Sequence, residues 1–349
     1  MTQALVVTAS PQTPAAQEGM RPSGPRVDFK EIAKALHAEV AHPDPPTGIT
    51  SRLESRVLPG GNWRHAWHVR SRPTALFLSL TEQIGLPLAF LKPRSARHVL
   101  IAHNLTTERR RAFQQRTGYL QRFDRIIVLS RAQEAYLCQE ARIPAERVRF
   151  VFDKVDHHFF APSSDDDGDG YLLSVGQEQR DYPTFVAAAQ ELGVPTVIVP
   201  SSLWNPADDI VRQTLPRNIS IKRDLPFTAL RELYDRASLV VVPLRPDVLI
   251  AAGVNAVLEA MAMRKPLVVS AIPGLDGYLE DGVTARLVPP ADPAALAGAI
   301  GELLADRTEA RRLAENARGI VESGRNLDTY VQAVVATTRE VLPLHSRSR

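Results

Sequence analysis

Apolar and polar positions along the chain fall into two recurring patterns. Short runs of four to six mostly apolar, often β-branched residues alternate with longer stretches whose apolar residues return every three or four positions. The first pattern fits strands buried on both faces of a parallel sheet, and the second fits amphipathic helices. Strands are predicted at Ala4–Thr8, Ala75–Leu80, His98–Ala102, Arg125–Leu129 and Val148–Phe152, then at Tyr171–Val175, Thr196–Val199, Ile219–Lys222, Leu239–Val242 and Leu267–Ser270. Helices are predicted at Phe29–Val40, from Thr81 through Leu91, and at Ala132–Ala141, Thr228–Ala237, Val254–Met263, Ala294–Leu304, Glu309–Glu322 and Tyr330–Leu342. Cap signals support several of them. Asp28 with Glu31 and Ser130 with Gln133 read as capping pairs, and Asp181 followed by Pro183 reads as a cap with proline in the first turn. Strand and helix alternate with short connections, which is the signature of a doubly wound parallel sheet.

One stretch interrupts this alternation. APSSDDDGDG, residues 161–170, is polar, acidic and glycine-bearing, and reads as a linker between two domains. The expected division is 1–163, 164–328, and a terminal helix and tail at 329–349. Asp165, Asp167, Asp169 and Gly170 match the first half of a calcium loop. The twelfth position would then be Gly176, where such a loop needs Glu, so no calcium is expected.

Composition narrows the picture without redirecting it. The 349 residues suffice for two cores, and 44% hydrophobic with 23% charged residues is ordinary for a globular protein. A net charge of +3 permits an anionic ligand or an acidic membrane surface and requires neither. Cys138 is the single cysteine, which excludes an intramolecular disulfide and a cysteine-based zinc cluster. No apolar run is long enough to span a bilayer. The start MTQALVVTAS lacks the basic and apolar regions of a signal peptide, so a cytoplasmic protein is expected.

The most informative stretch runs from Val240 to Pro290. A strand ends at Pro243, a loop carries Arg245, Pro246 and Asp247, and Gly253 opens a helix that holds Val254, Asn255 and Glu259. Free N–H groups and the positive dipole end at such a helix start suit a phosphate. Glu259 is then either a solvated helix residue or a carboxylate that meets a ribose hydroxyl. The segments LEAMAMRKPLVVS, IPGLDGYLEDG and ARLVPPADPAALAGAI resemble the donor-binding segment of retaining GT-B glycosyltransferases of family 4, the glycosyl transferases group 1. One departure stands out: Ala251 occupies the position of the family's first acidic residue.

The resemblance implies two Rossmann-like domains facing each other across a cleft, with the C-terminal helix crossing back to the first. It implies that Gly253, Val254, Asn255 and Glu259 bind a nucleotide-sugar donor. The loop GQEQRDYPTF matches the family's diphosphate loop through Gly176 and Arg180, although the lysine common there is absent. Arg245 is a candidate for the missing charge. In the first half, where SLTEQIGLPLA, IAHNL and RIIVLSRAQEAYL carry the likeness, His103 matches a histidine that faces the transferred sugar. Glu82 and Gln83 are candidate acceptor-side residues. Asp156 in FDKVDHHFF matches a turn in which Lys154 replaces the usual glycine.

Other polar clusters read more plainly. His157 and His158 are adjacent and point apart in an extended segment, so no metal site is expected from them alone. Trp63, His65, Trp67 and His68 read as one amphipathic helix, with acceptor binding as the other reading. Arg109, Arg110, Arg111 and Arg116 around Phe113 form either a solvated face or a contact for acidic lipid. Basic and aromatic residues are not interleaved in the way that nucleic-acid binding requires.

The expected function is transfer of a hexose from a nucleotide sugar to an unidentified acceptor with retention of configuration. No cofactor beyond the donor and no obligatory metal is expected. Two alternatives remain: a glycosyltransferase-like binding or scaffold protein that lost catalysis, motivated by Ala251 and Lys154, and another GT-B enzyme such as a sugar-nucleotide epimerase.

Overall fold

The computed structural model describes residues 2–10, 24–43, 62–163, 170–200 and 215–342. The chain forms two compact units, one of Met1–Arg21, Arg26–Val151 and Tyr330–Arg349, the other of Pro22–Pro25 and Phe152–Thr329. Most of the linker-like stretch 161–170, with its three calcium-loop aspartates, lies outside the described residues.

The first unit is built on strands β1 (Thr2–Val7), β2 (Glu39–Ala41), β3 (Thr74–Ser79), β4 (Arg97–Ala102), β5 (Arg125–Val128) and β6 (Val148–Phe150). They form one sheet in the order β2-β1-β3-β4-β5-β6, and every pairing is parallel. Leu5, Leu76, Phe77, Val99, Leu100, Ile126 and Ile127 are buried in it, as the unbroken apolar runs require. The sheet also buries His98 between Phe77 and Phe123, with Nε2 2.9 Å from Ser79 Oγ. Burial holds this imidazole well below its ordinary pKa and therefore neutral. The last helix, Leu327–Arg339, reaches this unit: Arg339 donates to Ala35 O at 2.9 Å, and Arg125 pairs with Glu340 at 3.2 Å.

The second unit holds β7 (Leu172–Val175), β8 (Thr196–Val199), β9 (Ile219–Ile221), β10 (Leu239–Val242), β11 (Leu267–Ser270) and β12 (Arg286–Val288). Their order is β12-β11-β10-β7-β8-β9, again all parallel. The chain fills one side of β7 with β8 and β9, then crosses to the other with β10. The strand order therefore reverses between β7 and β10. Ligands of such sheets bind at the carboxyl ends of the two strands that flank this reversal.

Several local expectations change, among them the Asp28–Glu31 capping pair: Asp28 lies inside its helix, and the N-cap, Val27, has no side-chain cap. The helix predicted at Phe29–Val40 is Asp28–Leu36; His37 takes a left-handed conformation, and Glu39–Ala41 becomes β2 by pairing with the open edge of β1. The strand β12 was not predicted, because its three residues carry too short a pattern. The helix expected over Ala132–Ala141 is α-helical only at Arg131–Ala135 and continues as a π turn over Tyr136–Glu140. Ser130 makes no side-chain cap there, and the Gln133 amide bonds elsewhere. Asp181 and Asp292 do cap their helices, accepting from the amides of Thr184 (3.2 Å) and Ala295 (2.9 Å).

Candidate functional site

The reversal point of the second sheet is built from two loops laced together. β7 ends at Val175, and the loop after it meets the loop after β10 through Asp181 N to Pro243 O (3.0 Å) and Arg245 N to Gln179 O (3.0 Å). Arg180 and Leu244 form an antiparallel bridge between them. This lacing fixes where Arg180 points.

Its guanidinium turns inward and is 6% exposed. Nε and Nη2 donate to Val175 O at 3.1 and 2.6 Å, and Nη1 donates to Glu178 O at 3.0 Å. A Cβ at Gly176 would stand 2.5 Å from Nη2, and one at Gly253 would stand 3.2 Å from Nη1. Both glycines have positive φ, +93° and +79°, so each supplies a turn and also the space for the same side chain. Burial lowers the Arg180 pKa, with Tyr182, Tyr234, Glu178 and Glu259 opposing the shift, but an arginine remains charged. Three of its five N–H donors are spent on carbonyls, which leaves two.

The helix Val254–Ala262 starts beside that charge. Gly253 offers no side-chain cap, so only backbone serves the first turn. The Val254 amide already bonds Ala251 O at 3.3 Å, and the Val254 side chain is buried in the core. Asn255 is exposed and Ala251 half-buried. Glu259 lies further along the same helix and is half-buried. The Tyr234 hydroxyl, from the helix Phe227–Arg236, donates to Glu259 Oε2 at 2.8 Å. Burial pushes the Glu259 carboxyl up to about 7, against the Tyr234 hydrogen bond and the Arg180 charge, both of which favour the carboxylate. Glu259 is thus neither a solvated residue nor a free one.

Two further residues hold the loop that carries Ala251. Ser270 Oγ accepts from Leu244 N at 3.0 Å. Gly274 N donates to Val248 O at 2.9 Å, and a Cβ at Gly274 would fall 1.7 Å from Ile250 O. Sequence reasoning assigned no role to Tyr234, Ser270 or Gly274. Tyr234 carries no local signal, since its partner is 25 residues away. Gly274 left a weak signal, the Pro-Gly pair that follows the strand Leu267–Ser270.

Arg245 is exposed, in the loop beside Asp247, whose φ is +58°. Lys154 does not sit at positive φ, so glycine is not needed there; its ammonium pairs with Asp153 at 3.1 Å.

In the first unit, His103 follows β4 and is exposed. Its Nε2 lies 3.1 Å from Leu80 O, and a carbonyl partner requires Nε2–H, which leaves Nδ1 as the acceptor of the neutral ring. Glu82, 5% exposed, accepts from His103 N at 3.0 Å and pairs with Arg110 at 3.1 Å. The Gln133 amide bridges the same loop, donating to His103 O at 3.1 Å and accepting from Leu105 N at 2.9 Å. Glu82 therefore shapes the His103 loop, while Gln83 is half-buried next to it. Arg110 and Arg111 of the basic run are engaged internally, the latter with Glu140 at 2.9 Å, while Arg109 and Arg116 do not share those partners. Trp63 stacks near Phe90, whereas Trp67 is 55% exposed beneath Arg70. Among the described residues, no helix is long and apolar enough to cross a membrane.

Residues 206–306, which include β10, Ala251, Gly253 and Glu259, match the family model described as glycosyl transferases group 1. Sucrose-phosphate synthase from Thermosynechococcus elongatus has a similar structure, with a TM-score of 0.75 at 18% identity over 97% of this chain and 99% of that one. The fold is the GT-B fold shared with these structures. HepE of Anabaena, solved in complex with UDP and glucose, superimposes on the GT-B chain with a TM-score of 0.71 at 17% identity, covering 98% of this chain and 100% of that one. Alpha-D-kanosaminyltransferase of Streptomyces kanamyceticus is 35% identical over 103 residues, 30% of this chain and 26% of the relative. The match thus spans about a quarter of that relative's length.

Proposed function

We propose that this GT-B protein transfers a hexose from a nucleotide sugar to an acceptor with retention of configuration. The observation that carries the reading is the convergence of Arg180, the Gly253 helix start and Glu259 at the point where the second sheet reverses its order. Such a point offers an anion-binding helix start with a buried cation behind it. Glu259, in its ionised form, accepts from the ribose hydroxyls. The first-turn amides after Val254, together with the Asn255 side chain, hold the diphosphate. Arg180 supplies fixed positive charge, with two N–H groups left over from its bonds to the backbone.

In the reaction, the bond between the anomeric carbon and the diphosphate oxygen breaks, and the acceptor oxygen bonds that carbon on the same face. The acceptor's proton leaves with the released diphosphate. Charge that builds on the leaving group is met by Arg180 and the helix dipole, and the scheme calls for no metal. His103 is the proposed sugar-contacting residue of the first unit, held by Glu82 and Gln133. The anionic donor is proposed to be a UDP-sugar, in line with the UDP and UDP-glucose present in the HepE structures. A peripheral contact with acidic lipid through Arg109 and Arg116 is part of the proposal, as is a cytoplasmic location.

Ala251 favours a second reading, in which the donor is bound but not turned over. Alanine offers no side-chain acceptor where the resembling enzymes have one. Assay of release of the nucleoside diphosphate from UDP-sugars, with and without candidate acceptors, separates the two. Turnover above the uncatalysed rate supports the enzyme; binding without turnover supports the second reading.

A further inference from the structure

Two crossings bound the larger segment of the second unit. The chain enters this segment at Phe152 and leaves it after Thr329. On the second unit's side these crossings touch: Leu327 N donates to Val155 O at 3.0 Å. Directly after Val155, Asp156 O accepts from both Phe159 N (3.1 Å) and Phe160 N (2.9 Å), which folds residues 156–160 into a tight turn. This turn overrides the expectation that His157 and His158 point apart. Their ring centroids are 4.1 Å apart with planes inclined by 36°.

Asp328, in the first turn of the last helix, joins them. One ligand atom from each of His157, His158 and Asp328 lies within 4.8 Å of the others. Among the described residues this is the one such grouping of three or more histidine, cysteine or carboxylate side chains. A separate observation points the same way. His157 Nδ1 is shielded from solvent and makes no hydrogen bond, an arrangement that folded proteins rarely leave unexplained. Asn326 fixes the helix start that presents Asp328, its Oδ1 accepting from Thr329 N at 3.1 Å.

The nearby cation does not close the site. Arg318 pairs with Glu322 at 2.6 Å and donates to Phe160 O at 3.1 Å, to His157 O at 3.5 Å and to Ala262 O, so its hydrogen bonds go to a carboxylate and to backbone carbonyls.

We propose that His157, His158 and Asp328 bind one divalent transition-metal ion of the zinc type, which staples the two chain crossings together. Two imidazoles and one carboxylate suit a borderline ion with a fourth position left for water. Mg²⁺ and Ca²⁺ prefer all-oxygen sites and are poor occupants. The site is independent of the proposed donor chemistry, and its failure would leave that reading untouched.

The test uses the full-length chain without an affinity tag, stripped with chelator and titrated calorimetrically with Zn²⁺. One ion per chain should bind, and Mg²⁺ should not compete. His158→Gln and Asp328→Asn should each lower the affinity at least tenfold, while both metal-free variants keep the parent's circular-dichroism spectrum. At one Zn²⁺ concentration the melting temperature of the parent should rise more than that of either variant, by mass action. It should also slow amide exchange at 155–160 and 326–329 in the parent alone. Failure to take up one equivalent, uptake that is the same in both variants, or equal binding of Mg²⁺ would overturn the proposal.

Discussion

The Tyr234 phenol and the Glu259 carboxyl, on two neighbouring helices, are joined by a 2.8 Å hydrogen bond in which the phenol donates to Oε2. The bond fixes the carboxyl's orientation and favours its ionised form, while burial opposes ionisation and raises the pKa to about 7. If the ionised form receives the ribose hydroxyls, nucleotide affinity should rise as pH increases through about 7 and level off above it. Tyr234→Phe removes a bond that favours the carboxylate, so the midpoint of that rise should move to higher pH. At pH 7 the variant should bind more weakly by roughly 0.5–1.5 kcal/mol. Calorimetric titrations with UDP from pH 6 to 8.5 check both points. A flat profile would show that Glu259 does not meet the ligand in its charged form.

The same carboxyl affects stability with a definite sign. Its folded-state pKa lies above the ordinary 4.5, so its contribution is fully present below about 4.5 and is lost as pH rises through about 7. Glu259→Gln abolishes that loss. Relative to the parent, the ligand-free variant should gain stability between pH 5 and 8, by at most about 3 kcal/mol, and gain nothing at pH 4. Urea unfolding at the two ends of the range measures it.

Gly274 is predicted to be intolerant of any side chain. A Cβ there would sit 1.7 Å from Ile250 O, so the backbone of the loop preceding Gly253 has to move. Gly274→Ala should lose about 1–3 kcal/mol of stability, as overpacking typically costs. It should also weaken UDP binding, because the loop sets the helix start. A variant as stable and as tight-binding as the parent would contradict the account of the loop.

Ala251→Glu tests whether the missing carboxylate explains the level of activity. The substitution restores a side-chain acceptor on a loop whose backbone is already fixed by Ser270 and Gly274. If the parent lacks turnover and the variant shows it, the natural chain is a donor-binding protein. If the parent is active, the variant should raise the donor's KM by crowding a sugar pocket adapted to alanine. Silence in both measurements would place the loop away from the donor.

Much of this architecture was readable in the amino-acid sequence. The strands Leu239–Val242, Leu267–Ser270 and Thr196–Val199 coincide with their predicted ranges, because fully buried parallel strands leave unbroken apolar runs. Gly253 could be singled out because it opens a helix after a strand and loop, and Glu259 because its segment resembles a donor-binding segment; the residues alone left its role open. Contacts between distant segments were not readable. Nothing local announces that Tyr234 meets Glu259, that Glu82 is held by Arg110 and the His103 amide, or that Arg180 fills the space opened by two glycines. The short strand Glu39–Ala41 was hidden for a related reason: its conformation is set by the open edge of β1 rather than by its own three residues.

The most direct test of the central claim is calorimetric titration of the parent chain and Glu259→Gln with UDP and the other nucleoside diphosphates at pH 7.5. The account predicts specific binding of a nucleoside diphosphate by the parent. It further predicts a loss of about 1.5–3 kcal/mol in the variant, the worth of a hydrogen bond to a charged group, with the fold intact by circular dichroism. Equal affinity in the two proteins, or no binding of any nucleoside diphosphate by the parent, would contradict a donor site at the reversal point of the second sheet.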